Sequence, residues 1–230
     1  MKKKYLLGLL GVVGLGLFTS CGTNNDTKTT TTSIATTTET ITKTATETTT
    51  ETTTEEDLES YKVTDTLEII TAVKDGYTFD SASGLLTFTT AGEYTLKGVL
   101  NGYIECLSTL TEKVTLVLDG ITITSDKPAI SWLSEKSKVE VKAKKDSSNY
   151  LITTASDTLT NSTIVSNNNI EFGGKGSLSI VNNQKHGVSA SEVTVKNEIA
   201  LSITANVKDG IHAKAVTIEN GNISITATKK

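Results

Sequence analysis

The chain of 230 residues contains no arginine, one proline (Pro128), one tryptophan (Trp132), two histidines and two cysteines. Each scarcity excludes something. Without arginine no guanidinium can serve as a catalytic base, and lysine is the basic side chain that remains. A formal charge of −4 argues against a nucleic-acid partner. Aromatic residues make up 5%, which is low for the core of a compact enzyme. His186 and His212 show no His-Glu-x-x-His spacing and occupy non-equivalent turn positions, so their spacing predicts no zinc site. Helical periodicity is absent; the chain is rich in Thr, Val, Ile, Gly and Asn, a composition that favours strands and tight turns.

What is present begins with Lys2, Lys3 and Lys4, then an apolar run from Tyr5 to Phe18, then Thr19, Ser20 and Cys21. The run of about 14 residues is shorter than the roughly 20 that a spanning helix needs, and its flanks are those of an export signal. Removing it takes away three lysines and leaves the rest near about −7. The ending Phe18-Thr19-Ser20-Cys21 resembles the lipobox of bacterial lipoproteins, with Phe18 where Leu, Val or Ile is usual. The resemblance implies a diacylglycerol on Cys21 and a place on the extracytoplasmic face of the cell membrane, with the lipid as the sole membrane contact. Cys106 then has no disulfide partner; Tyr103, Ile104 and Leu107 around it predict a buried, inert thiol.

Residues 21–60 are dominated by Thr and Glu and carry too little apolar surface to offset chain entropy, which predicts a disordered linker. As a coil it would reach about 35 Å root-mean-square. The folded domain is expected over 61–230.

That region repeats itself. Val193-Thr194-Val195 aligns with Val216-Thr217-Ile218, and Gly187-Val188 with Gly210-Ile211, both at an offset of 23. Ser177-Leu178-Ser179-Ile180 aligns with Leu201-Ser202-Ile203-Thr204 and then Ile223-Ser224-Ile225-Thr226. Ala129-Ile130, Val139-Glu140-Val141 and Ile170-Glu171-Phe172 are degenerate copies, and a polar stretch from Lys144 to Asn161 reads as an interruption. Three short period-two strands per unit of about 23 residues, with no helix between them, predict an all-β, right-handed parallel β-helix. Val188 should stack on Ile211, Val195 on Ile218 and Ile203 on Ile225. The stretch from Tyr61 to Lys97 is expected to form an N-terminal β cap.

Gly92-Glu93-Tyr94-Thr95-Leu96-Lys97-Gly98-Val99-Leu100-Asn101-Gly102, the run from Lys113 to Ile123, Lys208-Asp209-Gly210-Ile211-His212-Ala213-Lys214 and the run from Val216 to Thr226 are together similar to a family of bacterial carbohydrate-binding lipoproteins. The resemblance covers about Thr66 to Thr228. It implies a pectate-lyase-like β-helix that binds calcium and an acidic plant polysaccharide such as polygalacturonate.

The residues support this unevenly. Asp209 and Asp119 precede turn glycines, where Asp accepts backbone hydrogen bonds or ligates calcium. The column that holds Asp209 has His186, Ser162 and Pro128 in earlier repeats, so it is no ladder of carboxylates. Asn206 joins Asp209 and Asp119 as a candidate metal ligand; Lys208, Lys214 and His212 are candidate ligand contacts. The many other asparagines read as coil-to-coil hydrogen bonders. Trp132, Tyr103 and Tyr150 are candidate sugar-stacking faces, Trp132 with an inward parity that favours the core. The reading is a non-catalytic polysaccharide binder. Its alternatives are a surface structural or adhesion protein, and a calcium-dependent lyase using Lys185, Lys208 or Lys214 as base.

Overall fold

The computed structural model describes residues 58–154 and 162–228. The export signal, Cys21, nearly all of the Thr/Glu tract and the segment 155–161 lie outside the described residues. Seventeen strands hydrogen-bond into one sheet, most of it parallel, and no helix occurs among the described residues. In chain order they are β1 (Glu59–Lys62), β2 (Leu67–Thr71), β3 (Tyr77–Asp80), β4 (Leu85–Phe88), β5 (Gly92–Asn101), β6 (Tyr103–Cys106), β7 (Val114–Ser125), β8 (Ile130–Trp132) and β9 (Val139–Ala143). Then follow β10 (Ser148–Thr153), β11 (Ile164–Ser166), β12 (Ile170–Gly174), β13 (Ser177–Asn182), β14 (Val188–Val195), β15 (Ala200–Ala205), β16 (Ile211–Ile218) and β17 (Asn222–Ala227).

The parallel pairings fall into three ladders. The first runs through the front half of β5, the front half of β7, β9, β12 and the back halves of β14 and β16. The second runs through the back halves of β5 and β7, then β10, β13, β15 and β17. The third joins β4, β6, β8, β11 and the front halves of β14 and β16. From β6 onward the chain visits the third, first and second ladder in that order, again and again. The N-terminal end is different: β1–β2, β2–β5 and β3–β4 are antiparallel.

The expected stacking of repeats appears in the register: Val188 pairs with Ile211, Val195 with Ile218 and Ile203 with Ile225. In the strands from β4 to β15 the inward side chains are buried, giving columns such as Ile123, Leu151, Ile180 and Ile203. Trp132 and Phe172 are fully buried in this core, and Cys106 is a buried free thiol whose pKa burial pushes up.

One sequence reading needs correction. The polar stretch after Lys144 is only partly an interruption, because Ser148–Thr153 is β10 and sits in register between β7 and β13. Its signature is weak because Asn149 takes a core position in place of an aliphatic residue. That amide is fully used: Oδ1 accepts from the backbone N–H of Gly120 and Ile121, and Nδ2 donates to Ser147 Oγ and Ser177 O. The turn glycines are needed for different reasons. Gly120 does take a left-handed φ of 77°, but Gly210 and its register partner Gly187 do not. They are glycine for lack of room: a Cβ would lie 2.2 Å from Ile225 Cγ2 or Ile203 Cγ2 respectively.

Candidate functional site

Alternation leaves one face of each ladder pointing outward. In the second ladder the register aligns Thr122, Tyr150, Ser179, Ser202 and Ser224 in one outward row. At 4.7–4.9 Å per step the row extends about 19 Å. Four of its members offer a hydroxyl on a short side chain, and Tyr150 is 44% exposed. The other two candidate aromatics are unavailable. Trp132 is fully buried, as its parity predicted, and Tyr103 is buried beneath Lys127, whose ammonium lies 4.4 Å from the ring centroid.

A second cluster forms where the chain turns into β14 and β16. His186 and Asp209 precede those strands at equivalent positions, one repeat apart. His212 lies on β16, three residues beyond Asp209. Stacking one repeat on the next brings all three together. Asp209 Oδ2 lies 3.1 Å from His186 Nδ1 and 3.4 Å from His212 Nδ1. The two imidazole rings stack with centroids 4.6 Å apart. Burial, then the neighbouring His212, Lys208 and Lys185, hold the His186 pKa below its ordinary value against the pull of Asp209. Sequence spacing hides this cluster, because the histidines are not register partners; the visible signal was the equivalence of His186 with Asp209.

The remaining candidate residues lie as follows. Asn206 donates its Nδ2 to Asn183 Oδ1 at 2.9 Å, an asparagine-to-asparagine bond between adjacent repeats. Asn182 is also structural, its Oδ1 accepting from the backbone N–H of Gln184 and Lys185. Asp119 pairs with Lys144 Nζ at 2.8 Å and faces Lys97 Nζ at 3.7 Å. Lys208 lies close enough to act on His186, while Lys214 is exposed on β16.

On the first ladder, Glu140 and Glu171 are register neighbours facing the same way, an arrangement that repels unless cations intervene. Lys196 does so, at 3.2 Å from Glu140 and 2.8 Å from Glu171, and Lys113 reaches Glu140 at 2.8 Å. Burial pushes the Glu140 carboxyl up, but the hydrogen bonds from Lys113 and Lys196 and the charge of Lys142 outweigh it, and the net pKa is lowered.

Calcium takes six to eight oxygen ligands at 2.3–2.6 Å. The donor sets here fit it poorly. Asp209 lies against two imidazole nitrogens and Asp119 against two ammonium groups.

No curated protein and no solved structure matches the chain. A family match does, over residues 82–230, which takes in β4 to β17 with both the hydroxyl row and the histidine cluster. The chain belongs to the family of carbohydrate-binding domain-containing proteins.

Proposed function

We propose that this chain is a non-catalytic polysaccharide-binding protein, held on the outer face of the cell membrane by a lipid on Cys21, and that it takes an acidic, polygalacturonate-type glycan along the Thr122–Ser224 row. The observation that carries this reading is the row itself, outward hydroxyls at regular steps with the exposed ring of Tyr150 among them. An extended glycan offers ring faces to an aromatic and hydroxyls to short polar side chains, repeated along its length. The fixed order in which the chain visits its three ladders supports winding as a right-handed parallel β-helix, which keeps such a row straight.

Protein and acidic glycan are both negative, so direct attraction has the wrong sign. Positive charge comes from lysines, among them Lys185 and Lys208 in the turns after β13 and β15 and Lys214 on β16. Calcium enters as a bridge held largely by the glycan's own carboxylates, since Asp119 and Asp209 already face other partners.

The test is titration of the full chain with polygalacturonate and with a neutral glycan, each with calcium and with chelator. Tyr150→Ala should weaken binding by about tenfold, the loss expected of a central aromatic contact. Unchanged affinity in both Tyr150→Ala and Ser202→Lys would remove the row from the account. Undiminished affinity under chelator would remove the calcium bridge.

A further inference from the structure

The cluster of His186, Asp209 and His212 is built as a transition-metal site, and we propose that it binds one divalent ion of the zinc class, independently of glycan. The three side chains each offer one ligand atom, and these atoms lie within 4.8 Å of one another. Two imidazoles and one carboxylate are a zinc-type donor set, whereas calcium prefers oxygen alone.

The distances fit. Zinc bonds of about 2.0–2.1 Å at a tetrahedral centre place neighbouring ligand atoms about 3.3 Å apart. Asp209 Oδ2 is 3.1 Å from one imidazole nitrogen and 3.4 Å from the other. These separations match two edges of such a tetrahedron.

A second observation points the same way. His186 Nδ1 is buried and makes no hydrogen bond, although a carboxylate oxygen lies 3.1 Å away. The carboxylate is therefore near that nitrogen without being in line with it. A simple imidazole–aspartate hydrogen bond would align the two. A pair of ligands sharing one ion would not, because each then aims its lone pair at the ion and not at the other ligand. Buried polar atoms are seldom left without a partner, and an ion would supply one here. The His212 side chain is 65% exposed, so the site opens to solvent and leaves room for a fourth ligand.

The test is equilibrium competition between the full chain, made without a polyhistidine tag, and a chromophoric zinc chelator. Cobalt substitution provides a visible spectrum of the coordination. One equivalent of zinc should bind, with a tetrahedral cobalt spectrum and no displacement by an equal concentration of calcium. Asp209→Asn and His212→Ala should each weaken zinc by about 100-fold or more, at least the upper end of what losing an outer partner of a ligand costs. His212 is exposed, so its replacement leaves the fold intact even if a His186 variant does not fold; circular dichroism checks this. Absence of saturable zinc binding by the folded wild-type chain would overturn the site. So would unchanged zinc affinity in both Asp209→Asn and His212→Ala, or displacement of zinc by equimolar calcium.

Discussion

Strands β14 and β15 and strands β16 and β17 carry the same pattern in the same register, yet their apolar residues meet different surroundings. Val193, Val195 and Ile203 are at most 1% exposed, while their partners Val216, Ile218 and Ile225 are 47%, 59% and 47% exposed. The difference lies in cover, not in sequence. In a stack of parallel strands each repeat is buried by the one that follows as much as by its own core, so stability is a sum of neighbour terms.

The sharpest way to break that comparison is a matched pair of truncations. Ile203→Ala should cost about 2–5 kcal/mol, the range for deleting a fully buried isoleucine side chain. Ile225→Ala, at the partner position, should cost about 1 kcal/mol or less, because half of that side chain already meets water. Urea unfolding of both variants measures the gap, and equal losses would refute the idea that the next repeat supplies the burial.

Polar struts should follow the same rule with smaller effects. Asn149→Ala takes the acceptor from the buried N–H of Ile121 and the part-buried N–H of Gly120 and should cost about 2 kcal/mol. Asn206→Ala, which loses an exposed bond to Asn183, should stay within about 0.5 kcal/mol. Thermal melting distinguishes them.

Charge gives the smallest contrast. The folded-state pKa of Glu140 is depressed. Its contribution is therefore present above its ordinary value of 4.5 and is lost as pH falls through the lower folded value. Glu140→Gln should cost about 1.5 kcal/mol at neutral pH and flatten the acid limb of the stability profile. Glu93→Gln, which removes a carboxylate 60% exposed beside Lys142, should leave both nearly unchanged. An acid limb identical in wild type and Glu140→Gln would assign the pH dependence elsewhere.

The register was legible because repeats that stack must place like side chains at a fixed offset, and Val188, Val195 and Ile203 announce theirs. Strand β10 was less legible because Asn149 breaks the apolar alternation, and its bonds to Gly120 and Ile121 exist only once the neighbouring strand is in place. The histidine cluster escaped for a related reason. Its members come from one stack position and a position three residues further on, a neighbourhood that only the folded turns create. The aspartates were visible from their Asp-Gly turns, but nothing in those turns revealed that lysines would face Asp119 and imidazoles Asp209. Cys21 and nearly all of the Thr/Glu tract lie outside the described residues.

The central claim is that the folded domain binds polysaccharide without consuming it. The most direct measurement is calorimetric titration of the full chain with polygalacturonate in calcium, with the recovered polymer then assayed for chain length and new unsaturated ends. The account predicts saturable binding and a polymer returned intact. Shortened, unsaturated polymer would make the chain a lyase, and absence of heat with both polygalacturonate and a neutral glycan would contradict the binding face itself.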